Sequence, residues 1–162
     1  MKKTFRNNGA IGALLDEYEK TLFELEQVIR EITPEELLKI ADTKTKDPEC
    51  KSIQTVLTHI IGSGYCYAVI IRRHFGEKAE YKDGIILDSV AEYLEELQNM
   101  FQYNVQLFED YPTIKLEEYN NEKKILVRWG QRYDVEQLME HAIIHILRHR
   151  RQIERFLIGI RN

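Results

Sequence analysis

Between Ile11 and Ile32 the apolar side chains Ile11, Leu14, Leu15, Tyr18, Leu22, Leu25, Val28, Ile29 and Ile32 return every three or four residues. That spacing gathers them on one stripe of an α-helix, and a helix with one apolar stripe must bury it against another element. The pattern recurs three times. A second helix is expected from about Glu49 to Phe75, closed by Gly76, and a third after the cap Asp88, with Val90, Tyr93, Leu97, Met100, Phe101 and Phe108 on its stripe before Pro112. Asp134, with Gln137 three residues on, opens a fourth that runs to about Ile160. "TPEE" at 33–36 combines a capping threonine, a proline suited to the first helical position and a capping-box glutamate, predicting a short helix over 34–41. Four amphipathic helices without repeats or low-complexity linkers predict an all-α, single-domain four-helix bundle over 1–162. The segment 113–133 breaks the pattern: "KILVRW" is β-prone and "YNNE" turn-like, so it reads as a small hairpin or an irregular excursion.

The 162 residues, 43% of them apolar, suffice for one proper core. A net charge of −4 offers no basic footprint for nucleic acid, since the cations cluster only near the C-terminus. No stretch is expected to reach the apolar length needed to cross a bilayer, so no membrane partner is expected. "MKKTFRNNGA" lacks the apolar core of a secretion signal, and Cys50 and Cys66 are too few for a disulfide framework, so the cytoplasm is the expected compartment.

Inside the fourth helix, "HAIIHILRHRRQIERFL" places His141, His145 and His149 at four-residue intervals. On a helical wheel each such step turns about 40°, so the three are not equivalent. With His145 at zero, the apolar arc through Leu138, Phe156, Ala142, Ile153 and Ile146 covers about +20° to +100°. His149 falls within it at about +40°, His145 at its border, and His141 outside at about −40°, beside Arg148. His145 and His149 therefore form the inward pair, able to bring two imidazoles to one ion. A third donor is available on the second helix, where His59 shares a face with Val56, Ser63, Cys66 and Ile70. Packing several imidazoles into an apolar interior without a shared partner is costly, which favours a metal ion among them.

Other features have simpler readings. Gly62 and Gly64 cost helix stability, so they either leave a void beside the ion or let a neighbouring helix approach. His74, beside Arg72 and Arg73, reads as a cation at a helix C-terminus. Cys66 lies about two turns from His59, too far to complete the same sphere, and reads as a small core residue. The run Arg148, Arg150, Arg151, Arg155, Arg161 reads as structural: positive charge suits a helix C-terminus, and Glu140 and Glu154 are available on the same helix. Glu140 and His141 do not make the zinc-protease helix signature, which needs the glutamate directly after the first histidine.

"VLTHIIGSG" in the second long helix and "EHAIIHILRHRRQIERFL" in the last resemble the DinB-like superfamily, which includes the bacillithiol S-transferase type. The resemblance covers most of the chain as a helix order and is specific only in the last helix. It implies a four-helix bundle, often dimeric, holding a divalent metal, commonly zinc or nickel, with one histidine from the second helix and two from the fourth. Motif for motif, these fall on His59, His145 and His149. The chain departs from the "HRGQ"-like signature by reading "HRRQ", with Arg151 in the glycine position, which leaves the ligand pair intact, so the resemblance implies the metal site more firmly than a relative's substrate.

Three neutral imidazoles leave a divalent ion its charge and an open position, the requirement for activating a bound water or thiol. The leading expectation is a metal-dependent transferase acting on a small-molecule substrate with a low-molecular-weight thiol, a homodimer by resemblance. His141, Gln152 and Trp129 are the candidates for outer contacts to ligands or substrate. A metal-dependent hydrolase and a non-catalytic bundle stapled by a metal are the alternatives.

Overall fold

The computed structural model describes residues 4–162 of the chain; Met1, Lys2 and Lys3, the start of the segment read above for a secretion signal, lie outside the described residues. The described residues are all-α apart from one two-stranded ribbon, and their four long helices are α1 (Gly9–Ile29), α3 (Ile53–His74), α4 (Val90–Asp110) and α5 (Val135–Arg161). Between the first two stands the short α2 (Pro34–Leu38). Thr33 and Glu36 cap α2 reciprocally, as their spacing predicts, but the helix stops at Leu38, three residues short of expectation, because Lys39 turns to extended backbone. Asp134 and Gln137 form the same box at the start of α5.

Two helix starts differ from the sequence reading, for a local reason. α3 does not begin at Glu49: Pro48–Cys50 is a separate 3-10 turn, and Ser52, whose hydroxyl accepts from the Thr55 amide, is the true cap. The hydroxyl of Ser89, not the carboxylate of Asp88, accepts the Glu92 amide and opens α4. Serine caps both helices because its short side chain reaches the third amide of the helix from an extended backbone. α3 closes at His74, where Gly76 takes the left-handed φ of +91° that glycine tolerates without strain.

α1 packs against α5, α5 against α3, α3 against α4 and α4 against α1, closing a four-helix ring. Its interior holds Tyr18, Leu22, Leu25, Ile60, Ile71, Tyr93, Leu97, Phe101, Leu138 and Ile153, each at most 1% exposed. Contrary to the sequence reading, α3 is by length and composition apolar enough to cross a membrane. About 61% of its apolar window is buried, because the helix contacts both α4 and α5.

Gly64 sits where α3 meets α4: a Cβ added there would run into Met100, itself fully buried with its sulfur accepting a hydrogen bond from Tyr18 Oη at 3.4 Å. The Asn104 amide donates to the Gly64 carbonyl across the same contact, at 3.2 Å. Of the two readings of this glycine pair, close approach therefore holds for Gly64. Gly62 serves the same end for the chain at Gly84, whose amide lies 3.3 Å from the position a Cβ would take. Alanine is the better helix former by about 1 kcal/mol. Gly64→Ala is nevertheless expected to lower stability, by up to about 2 kcal/mol once overpacking at Met100 is set against that gain; urea unfolding gives the sign, and an increase in stability would show that the contact is slack.

The 113–133 segment resolves as a small hairpin within an irregular excursion. Strands β1 (Ile125–Leu126) and β2 (Arg132–Tyr133) pair antiparallel, Ile125 opposite Tyr133, across a turn with Gly130 at φ +87°. The excursion carries Trp129 against His141 of α5, 5.8 Å between ring centres.

Candidate metal centre

α3 supplies His59 and α5 supplies His145 and His149, and the contact between these helices brings the three rings together. His145 Nε2 lies 3.0 Å from His59 Nε2 and 3.2 Å from His149 Nε2. Two nitrogens bound at 2.0–2.1 Å to one tetrahedral zinc ion sit about 3.3 Å apart, so these separations are close to what a shared ion requires. One candidate donor atom from each of the three lies within 4.8 Å of the others, a group that can hold a metal ion.

The outer ring nitrogens fix the chemistry of the inner ones. His59 Nδ1 is 2.9 Å from Glu49 Oε2, and an ionised carboxylate only accepts, so Nδ1 carries the proton and Nε2 presents a lone pair. His149 Nδ1 donates likewise to Gln152 Oε1 at 2.8 Å. Two lone pairs thus face His145 Nε2, which has at most one proton to share between them; a cation satisfies all three. Burial, with His149 and His59 close by, pushes His145 down to about 3, and burial holds His149 below its ordinary value against the opposing bond to Gln152. Neutral imidazoles are the ligating form. The donor set can therefore hold a metal ion, three imidazoles suiting zinc, nickel, copper and iron alike.

Of the outer contacts expected from the sequence, Gln152 touches His149, whereas His141 and Trp129 touch no ligand nitrogen. His141 stands at the rim, its ring 6.4 Å from that of His145, and stacks on Trp129 at 5.8 Å with Tyr133 edge-on at 5.6 Å. Burial, and then Arg148, lower its pKa. Tyr67, a buried residue of α3, completes this aromatic wall, with its ring 6.0 Å from His145 and 5.6 Å from His141.

The sequence reading missed Tyr67 and the Pro48–Cys50 turn. That turn and the residue before it set Glu49 against His59, Cys50 beside the Gln152 side chain, and Asp47 within electrostatic range of His149. Glu49 sits ten residues ahead of its partner in a stretch read as loop and helix start. Only a fold-back, pinned by the Ile40–Ser52 bridge and by the Ala41 and Asp42 amides on Lys51 O, delivers it. Cys66 is half-buried rather than in the core, lining a cleft of about 310 Å³ with His59, Ser63, Tyr81 and Arg128. His74 is exposed at the end of α3, its ring edge-on to Phe75.

The bonds from Glu49 and Gln152 to the ligand rings carry a testable weight, since removing such a partner typically costs 10- to 100-fold in metal affinity. Glu49→Gln is expected to fall near tenfold, because Glu49 is exposed, and Gln152→Ala to fall further, because His149 is the more enclosed ring. Competition with a chromophoric chelator measures both, and zinc affinity unchanged in both variants would remove these residues from the centre.

Comparison with protein-family models, with curated proteins and with solved structures found no match in any of the three.

Proposed function

We propose that the chain is a metal-dependent enzyme whose ion is held by His59, His145 and His149, and that it transfers a low-molecular-weight thiol to a small electrophile, as the DinB-like resemblance of "HILRHRRQ" implies. The observation that carries this reading is the convergence of three Nε2 atoms, two of them oriented as lone-pair donors by Glu49 and Gln152. When bound, a divalent ion on three neutral imidazoles keeps its full charge and lowers the pKa of a thiol at its open position.

The protein's own residues would do the rest. Glu49 and Gln152 hold the ring orientations, while Tyr67, Trp129 and His141 line one side of the centre with aromatic surface. The cleft beside His59 offers space for a small acceptor, of the size usual for small-molecule sites. A second reading, a metal that staples the bundle, draws on the fact that the ligands come from two helices only and would tie α3 to α5.

Elemental analysis of protein expressed with zinc, nickel and manganese available tests the shared premise: about one equivalent of divalent metal is expected, and none retained would sink both readings. Turnover of a haloalkane with a panel of small thiols separates them. Loss of thermal stability on chelation without turnover of any thiol leaves the staple.

A further inference from the structure

A cleft of about 550 Å³ lies between α5 and the 39–42 segment, next to the histidine cluster rather than in it. Gln152 is shared, lining the cleft while its side chain holds His149. Arg148, Arg151, Arg155 and Lys39 line it too, over an apolar floor that includes Phe156 and Ile160. One acidic residue, Asp42, lines it against these four cations, its Oδ1 turned to the Lys44 and Thr45 amides.

The sequence reading assigned this arginine run to helix stabilisation, and the structure divides the run. Arg150 pairs with Glu24 and Glu154, and Arg161 with Glu36. Among the described residues no carboxylate lies within ion-pairing distance of Arg148, Arg151 or Arg155. The helix dipole does not account for them, because it acts within the last turn and they stand about one and a half to three and a half turns before Arg161. Spaced i, i+3, i+7, they share one face of α5, and that face is the cleft wall. Three exposed guanidinium groups on one face, none with a carboxylate partner among the described residues, repel one another, and an anionic ligand relieves that repulsion. Each planar fork matches the two oxygens of a carboxylate or phosphate.

We propose that this cleft is an anion-binding site that takes the acidic end, carboxylate or phosphate, of a small molecule, with Arg151 and Arg155 as its principal contacts. This rests on the function proposed above only in placing the ligand's reactive end towards the histidines; the anion site itself needs no metal.

Titration of succinate and of inorganic phosphate into metal-free protein at low ionic strength, followed by calorimetry, tests it. Saturable one-to-one binding is expected, weakened at high salt. Arg151→Gln and Arg155→Gln are each expected to weaken it about five- to tenfold, and Arg151→Lys less, since the charge stays and the fork is lost. Arg150→Gln makes the same change in net charge at a guanidinium already held by Glu24, and is expected to leave affinity within twofold. The tighter of the two probes identifies the recognised group as phosphate or paired carboxylates. No saturable binding of either probe, or equal weakening in all the glutamine variants, would overturn the proposal. Because the protein is metal-free, failure of the metal reading leaves this result standing, and failure here leaves the metal reading untouched.

Discussion

His145→Ala is expected to abolish tight binding of zinc or nickel while leaving the metal-free protein folded. Structural zinc sites bind with about 10–16 kcal/mol, and removing one of three protein ligands takes roughly a third of that, about two to four orders of magnitude in Kd. His145 is the ring to remove, because its Nε2 stands between the other two, at 3.0 and 3.2 Å. Its loss leaves two histidines on different helices, each still tied to its own outer partner. The metal-free fold loses little, since the substitution deletes a buried imidazole whose neighbours at Nε2 are two other imidazole lone pairs. His141→Ala, four residues earlier on the same helix, is expected to keep zinc affinity within about threefold, because His141 stacks on Trp129 and stands away from the ligand nitrogens. Calorimetric titration with zinc decides both. An His145→Ala protein within tenfold of the parent would dismiss the three-histidine centre.

Phe101→Ala is expected to produce the opposite profile, a large loss of fold stability with the metal site preserved. Phe101 is fully buried in α4, its ring 5.6 Å from Tyr18 of α1 in an edge-to-face contact, with the Arg6 guanidinium 5.7 Å from its ring centre. Truncating a buried phenylalanine costs about 3–5 kcal/mol through lost transfer energy and the cavity left behind. For a chain of this length that lowers the melting temperature by about 10 °C. α4 contributes no histidine to the cluster, so the folded fraction keeps its zinc affinity, and zinc at a thousand times Kd returns about 4 kcal/mol of the loss. Thermal melts with and without zinc check this. A melting temperature within two or three degrees of the parent would mean that the core around Phe101 repacks, and a zinc affinity that falls with stability would mean that α4 supports the centre directly.

The contrast between these variants follows from how the bundle is divided. α1 and α4 are scaffold, whereas α3 and α5 carry both core and chemistry. Periodicity alone separates the helices, because a stripe of apolar residues every three or four positions needs no tertiary information to be read. The wheel likewise separates His145 and His149 from His141, since a 40° step is a property of the helix itself. The start of α3 was misplaced at Glu49 because a 3-10 turn and a helix begin alike in sequence: Pro48 suits the first position of both, and only the extended backbone at Ser52 separates them.

The arginine run shows the same division at the level of charge. Composition and position could place five arginines on α5, but which of them are neutralised depends on Glu24 and Glu36, 126 and 125 residues away along the chain. Likewise, Gly64 could be read as costly but not explained, because its reason is Met100 on another helix.

The sequence by itself determined the helices, their inward faces and which histidines share one, since these depend on local dihedral geometry and on the pattern of apolar residues. Only the tertiary structure decided that Glu49 orients His59, that Tyr67 walls the centre and that three arginines are left without partners around a cleft. Those relations join residues that lie far apart in the chain or on different elements, and burial of the apolar stripes, which is blind to the polar groups it carries along, sets which of them meet.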